Sequence, residues 1–193
     1  MRELPDKSEP LKDEPLVVIA RNTPNRSRDA GSIVRYYFMQ VFEVLAHPQQ
    51  FFGAMERDEG MTEALCFGAF SIAIFSVLQG IGHFNILLTL YVFFAACVKT
   101  AIGAAVAGFV LKRLGGKASI KDTLRVFAYG KATLLFAWIS LAYLPIGGLV
   151  AFAYALYLSV LGCRKLHDLS TMKVAVTIGV IGVVGFVFGL FVR

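Results

Sequence analysis

Acidic side chains are scarce in this chain, with 13 in 193 residues, and only Asp122 and Asp168 follow Glu63. The signatures of several enzyme classes are missing as well. The three histidines, His47, His83 and His167, are far apart, and no His-Glu-x-x-His string is present to hold zinc. Gly116-Lys117-Ala118 and Gly130-Lys131-Ala132 lack the Ser or Thr that a phosphate-binding loop needs after its lysine. There is no Gly-x-Ser-x-Gly nucleophile string. Cys66, Cys97 and Cys163 show no metal-site or redox spacing and read as small apolar residues. No apolar h-region occurs in the first thirty residues, so no cleavable signal peptide is expected. These absences predict a non-enzymatic protein without cofactor or metal.

What the chain has in quantity is apolar sequence: 57% hydrophobic residues, 17 Phe and a mean hydropathy of +0.68. A soluble domain of this size would expose too much of it. The net charge of +6 does not point to nucleic acid, because the basic residues flank apolar stretches, where they set topology and meet anionic lipid headgroups.

Five apolar stretches follow Met61. The first, Ala64 to Gly82, covers about the ~30 Å of a bilayer core at ~1.5 Å per residue. The second, Ile86 to Leu111, is interrupted only by Lys99. Between Lys131 and Arg164 lie 32 uncharged residues, too many for one span and too few for two of ~20 residues. The third helix therefore begins near Leu124 and draws Lys131 into the membrane. Pro145 starts the fourth, which ends near Gly162, and the fifth runs from about Val174 to Val192. Gly115-Gly116 is placed to end the second helix, and Ser119 to Asp122 reads as a capping box for the third.

Orientation follows from charge. Lys112, Arg113, Lys117, Lys121 and Arg125 occupy one loop, and Arg164, Lys165 and Lys173 another, whereas the two alternate loops carry no basic residue. The positive-inside rule places the N-terminus and both basic loops in the cytoplasm and the C-terminus outside. Residues 1–31, with four prolines among mixed charges, read as a disordered cytoplasmic tail. Residues 32–62 read as amphipathic interfacial helices: Val34, Tyr37, Phe38, Val41, Val44 and Leu45 recur at helical spacing until Pro48, and Phe51, Phe52 and Met55 form a second short face. The expected fold is all-α: five transmembrane helices over residues 63–193, preceded by an amphipathic helix, N-in and C-out.

Three strings resemble the Yip-domain family of five-span membrane proteins: Leu45 to Phe52, Gly115 to Gly130, and Gly162 to Lys173. The Asp-Leu-Tyr-Gly-Pro string of the eukaryotic trafficking members is absent, so the likeness is closest to compact bacterial members. The resemblance implies a location in the bacterial inner membrane and a membrane-organising or adaptor role toward an unidentified protein partner.

A second reading, a small-molecule or anion carrier, comes from Lys99. It has thirteen residues to Ile86 and twelve to Leu111, so it sits at least ~15 Å from either membrane edge, beyond the reach of its side chain. A charged ammonium there costs at least ~2.5 kcal/mol, and no span offers a carboxylate. Gln79, Thr100 and the shallower Lys131 are candidate polar companions. Lys112, Arg113, Lys117, Lys121, Arg125, Arg164 and Lys165 are candidate headgroup contacts. Small-residue stripes allow close helix approach, Gly103, Ala104, Ala107 and Gly108 in the second span and Gly179 to Gly189 in the fifth, where Gly185 and Gly189 offer a homo-oligomer contact.

The topology is directly testable. A compartment-sensitive reporter fused after Arg193 should be active only on the extracytoplasmic side. Cytoplasmic activity would mean that the count of spans is off by one.

Overall fold

The computed structural model describes residues 30–57, 60–137 and 145–191, and these are helical apart from short turns, with no strand among them. The expected tail lies almost wholly outside the described residues, as do the C-terminal part of the third apolar stretch and Arg193. The helices are α1 (Ala30–Ala46), α2 (Pro48–Gly53), α3 (Met61–Gly82), α4 (Ile86–Arg113), α5 (Ile120–Tyr129), α6 (Pro145–His167) and α7 (Thr171–Phe191). A 3-10 turn, Gly130–Thr133, extends α5 into a short helical segment over 134–137. Among the described residues, three helical stretches are long and apolar enough to cross a membrane, Met61–Gly82, Ile86–Arg113 and Gly148–His167, with a shorter apolar helix at Thr171–Val187.

Local chemistry explains the boundaries. Pro48 cannot continue α1 but suits the first turn of α2, where its missing N–H costs nothing. Asn85 stops the α3–α4 turn from fraying, its side chain accepting the Leu88 N–H at 3.1 Å. Gly115, at φ +95°, takes the left-handed position that closes α4, and the Gly116 N–H then reaches the Leu111 carbonyl at 2.9 Å. At the start of α5 the capping box is complete: the Ser119 hydroxyl accepts the Asp122 N–H, and the Asp122 carboxylate accepts the Ser119 N–H.

Small residues set how closely the helices approach. A side chain at Gly68 would press on Ala128, one at Gly108 on Thr123 and Ile120, and one at Gly182 on Leu156. The Gly103 and Gly108 positions both face α5, so the small stripe of the second apolar stretch serves packing within the chain. At Gly179 and Gly185 an added Cβ would meet nothing within 4 Å.

The segment ahead of α3 packs against the bundle. Tyr37 is buried against Phe67 and Phe70, and its hydroxyl meets Ser71 Oγ at 2.9 Å. Ser71 stands ten residues into α3, or ~15 Å along its axis. Tyr154 of α6 donates to the Leu45 carbonyl at 2.6 Å. The expected apolar face of α1 divides: Tyr37, Val41 and Val44 are buried, whereas Val34 and Phe38 are exposed with Ile33, Met39 and Phe42. One helix therefore presents apolar surface on two sides, as suits an element between a bundle and lipid. α2 inserts Phe51 against Tyr129 and Phe52 against Gly162.

The Gly162 contact gives a test of this packing. A Cβ there would stand 2.6 and 2.8 Å from the Val126 methyls and 2.9 Å from the Phe52 ring, all buried apolar atoms. Gly162→Ala should destabilise the protein by about 1–3 kcal/mol through overpacking. Gly179→Ala, in open space on a helix, should be neutral or stabilising by up to about 1 kcal/mol. Thermal unfolding in detergent measures both; equal shifts would contradict the described α2–α5–α6 junction.

Candidate functional site: a polar clasp and two membrane lysines

Asp122, Thr123, Arg125 and His167, all buried, gather at one end of the bundle, where α5 starts and α6 ends. Asp122 is 1% exposed, and its Oδ2 accepts the Ser119 N–H at 3.0 Å and the Ser119 hydroxyl at 2.8 Å. Its Oδ1 faces Arg125 Nη1 at 3.2 Å, one helical turn on. Arg125 Nη1 also donates to the Glu56 carbonyl at 2.8 Å, which ties the segment before α3 to α5. Arg57 follows the same logic, its Nε donating to the Leu166 carbonyl of α6 at 2.9 Å.

His167, fully buried, closes the ring. Its Nε2 lies 2.9 Å from Thr123 Oγ1, and Thr123 in turn donates to the Ser119 carbonyl at 3.3 Å. Nδ1 has no hydrogen-bond partner and lies over Gly116, where a Cβ would come within 2.4 Å of it. The backbone seals the contact, the Lys117 N–H donating to the His167 carbonyl at 3.1 Å. Outside it, Lys117 Nζ and Asp168 Oδ2 pair at 2.6 Å with both side chains exposed, and the hydrogen bond and charge of Lys117 hold the Asp168 carboxyl below its ordinary value.

This clasp was not among the sequence-derived site residues. Its readable part was the Ser119–Asp122 capping box; the partners from other elements lie 44 to 109 residues apart. It also changes the reading of the basic residues. Arg125, expected at lipid headgroups, is 3% exposed, its guanidinium turned inward to Asp122 and a carbonyl. Lys117 is exposed but paired. Lys112, Arg113, Lys121, Arg164 and Lys165 are exposed and make no ion pair among the described residues; Arg113 lies over the Phe109 ring at 5.2 Å.

The intramembrane candidates do not converge. Lys99 is exposed on the outer side of α4. Its neighbour Thr100 is buried, its hydroxyl donating back to the Ala96 carbonyl at 2.6 Å. Gln79 is three residues from the end of α3 and Lys99 thirteen from the start of α4, so they differ by ~15 Å in depth across this hairpin. Lys131 sits in the 3-10 turn, half-buried and within electrostatic range of Cys97 on α4. The turn is supported by Thr133, whose hydroxyl donates to the Gly130 carbonyl at 2.9 Å.

A chain whose described residues form helices with no strand, three of them long and apolar enough to cross a membrane, is an integral membrane protein. A Yip1 domain family model matches residues 42–192, and the chain belongs to that family. Neither the curated proteins nor the solved structures compared with it returned a match.

The clasp predicts unequal costs. Arg125→Met strips a buried carboxylate of its cation and should cost about 3–5 kcal/mol. Lys117→Ala removes an exposed pair and should leave unfolding nearly unchanged. The check is thermal unfolding in detergent; similar shifts for the two variants would refute the ranking.

Proposed function

We propose that this protein is a non-enzymatic, multi-pass Yip1-family protein that organises membrane or acts as an adaptor, presenting its cytoplasmic helices and loops to partners. The reading takes the chain as five spans, N-in and C-out, in a bacterial cytoplasmic membrane. On that reading the third apolar stretch, beginning near Leu124, is the third span and α7 the fifth. The observation that carries it is the gathering of polar contacts at the end where both basic loops meet. The Lys117 N–H to His167 carbonyl bond and the Lys117–Asp168 pair hold those two loops together. Two loops touching there belong on one side of the membrane, as an even number of intervening spans requires. Lys112, Arg113, Lys121, Arg164 and Lys165, without an ion pair among the described residues, then form a cationic rim for anionic headgroups, each worth about 1 kcal/mol near the surface.

Carrier function draws less support, because its lysine faces outward and is separated in depth from Gln79. Purified protein in liposomes should pass neither protons nor small anions above the leak of empty vesicles. Lys99→Met should leave abundance unchanged or raised, since it removes an ionisable group from mid-bilayer. A flux that depends on Lys99 would overturn the adaptor reading.

A further inference from the structure

The outer face of α4 carries a lysine with no ion-pair partner among the described residues. Only 6% of the most apolar window of α4 is buried against the rest of the protein, the least of the three membrane-length helices. Lys99 is exposed on that face, flanked by Val98, Ile102 and Val106, each 45% exposed or more. Lys99 makes no hydrogen bond or ion pair among the described residues, and every Asp and Glu from Met61 onward (Glu63, Asp122, Asp168) lies at a helix end or in a loop.

We propose that this face of α4 is the docking site for a transmembrane helix of a different membrane protein, one that carries an Asp or Glu at mid-bilayer opposite Lys99. The proposal rests on the adaptor reading, with α4 crossing the membrane, and names the chemistry of one partner. Three other occupants fit poorly. Lipid tails offer an ammonium no acceptor, and the headgroup phosphates stand farther from Lys99 than its side chain extends. A second copy packed isologously on this face would bring Lys99 against its own counterpart, and its spans hold no carboxylate to offset the repulsion. Water would need a polar lining, whereas the exposed neighbours are aliphatic. A carboxylate on a facing helix satisfies the charge, and Val98, Ile102 and Val106 give that helix an apolar surface to pack on.

The probe is a synthetic transmembrane helix of about 21 Leu and Ala residues with a single central Asp, compared with the same peptide carrying Leu at that position. Association with labelled full-length protein is read by energy transfer in phosphatidylcholine vesicles free of anionic lipid. The Asp helix should bind the wild type at least tenfold more tightly than the Leu helix. Lys99→Leu should abolish that preference while Lys131→Leu preserves it, and Lys99→Glu should transfer the preference to a Lys-centred helix. Equal binding of the Asp and Leu helices by the wild type would overturn the proposal, as would a preference that survives Lys99→Leu. Self-association of the wild type lost on Lys99→Leu would assign the face to a second copy and equally overturn it. None of these results bears on flux, so the adaptor reading stands or falls separately.

Discussion

Asp122 is the group on which one end of the molecule turns, the end where α5 starts and α6 ends. It is nearly inaccessible to water, so its charge must be met by the chain. Three donors meet it: the Ser119 N–H, the Ser119 hydroxyl and Arg125. The first two start α5 where it must start; the third positions Arg125 to hold the Glu56 carbonyl and hence the entry into α3. One carboxylate thus sets a helix start, a buried ion pair and, through its cation, the seat of the segment ahead of the first long helix. A buried pair of this kind adds little net stability compared with a well-packed apolar substitute, so its stronger effect is on geometry.

The apolar body is held by a different device. The faces of α3, α4 and α7 differ little in hydrophobicity, so no strong amphipathic stripe tells them how to turn. Their relative placement follows instead from where a side chain is missing: Gly68 under Ala128, Gly108 under Thr123 and Ile120, Gly182 under Leu156. Gly116 does the same at the polar end, since only a residue without a Cβ leaves room for the His167 ring. Close approach and polar satisfaction are therefore linked, and Thr123 belongs to both, resting near Gly108 while bonding His167.

Signals that act within a turn or two were legible in the sequence. Pro48 opening α2, Gly115 closing α4, Ser119 with Asp122 opening α5 and Pro145 opening α6 all depend on backbone groups within a few residues. The contacts of the clasp were not, because Thr123 and His167 are 44 residues apart and Arg125 and Glu56 are 69 apart. Arg125 shows the limit well. A cation in a basic loop reads as a surface group, and only folding brings a carbonyl and a carboxylate around it.

The two membrane lysines show the same limit at greater depth. Distance along a helix is readable by counting at ~1.5 Å per residue, so the depth of Lys99 was available from the sequence. Which way it points was not, because α4 is apolar nearly all round and its few small residues are shared between faces. The structure turns Cys97 toward Lys131, buries Thr100 and leaves Lys99 outside. Positive charge thus occurs on both sides of one helix, one lysine enclosed by the chain's own elements and the other left to its surroundings. Lipid tails offer the outer lysine no acceptor at that depth, and on the proposed reading a facing helix supplies the one that the chain's own spans lack.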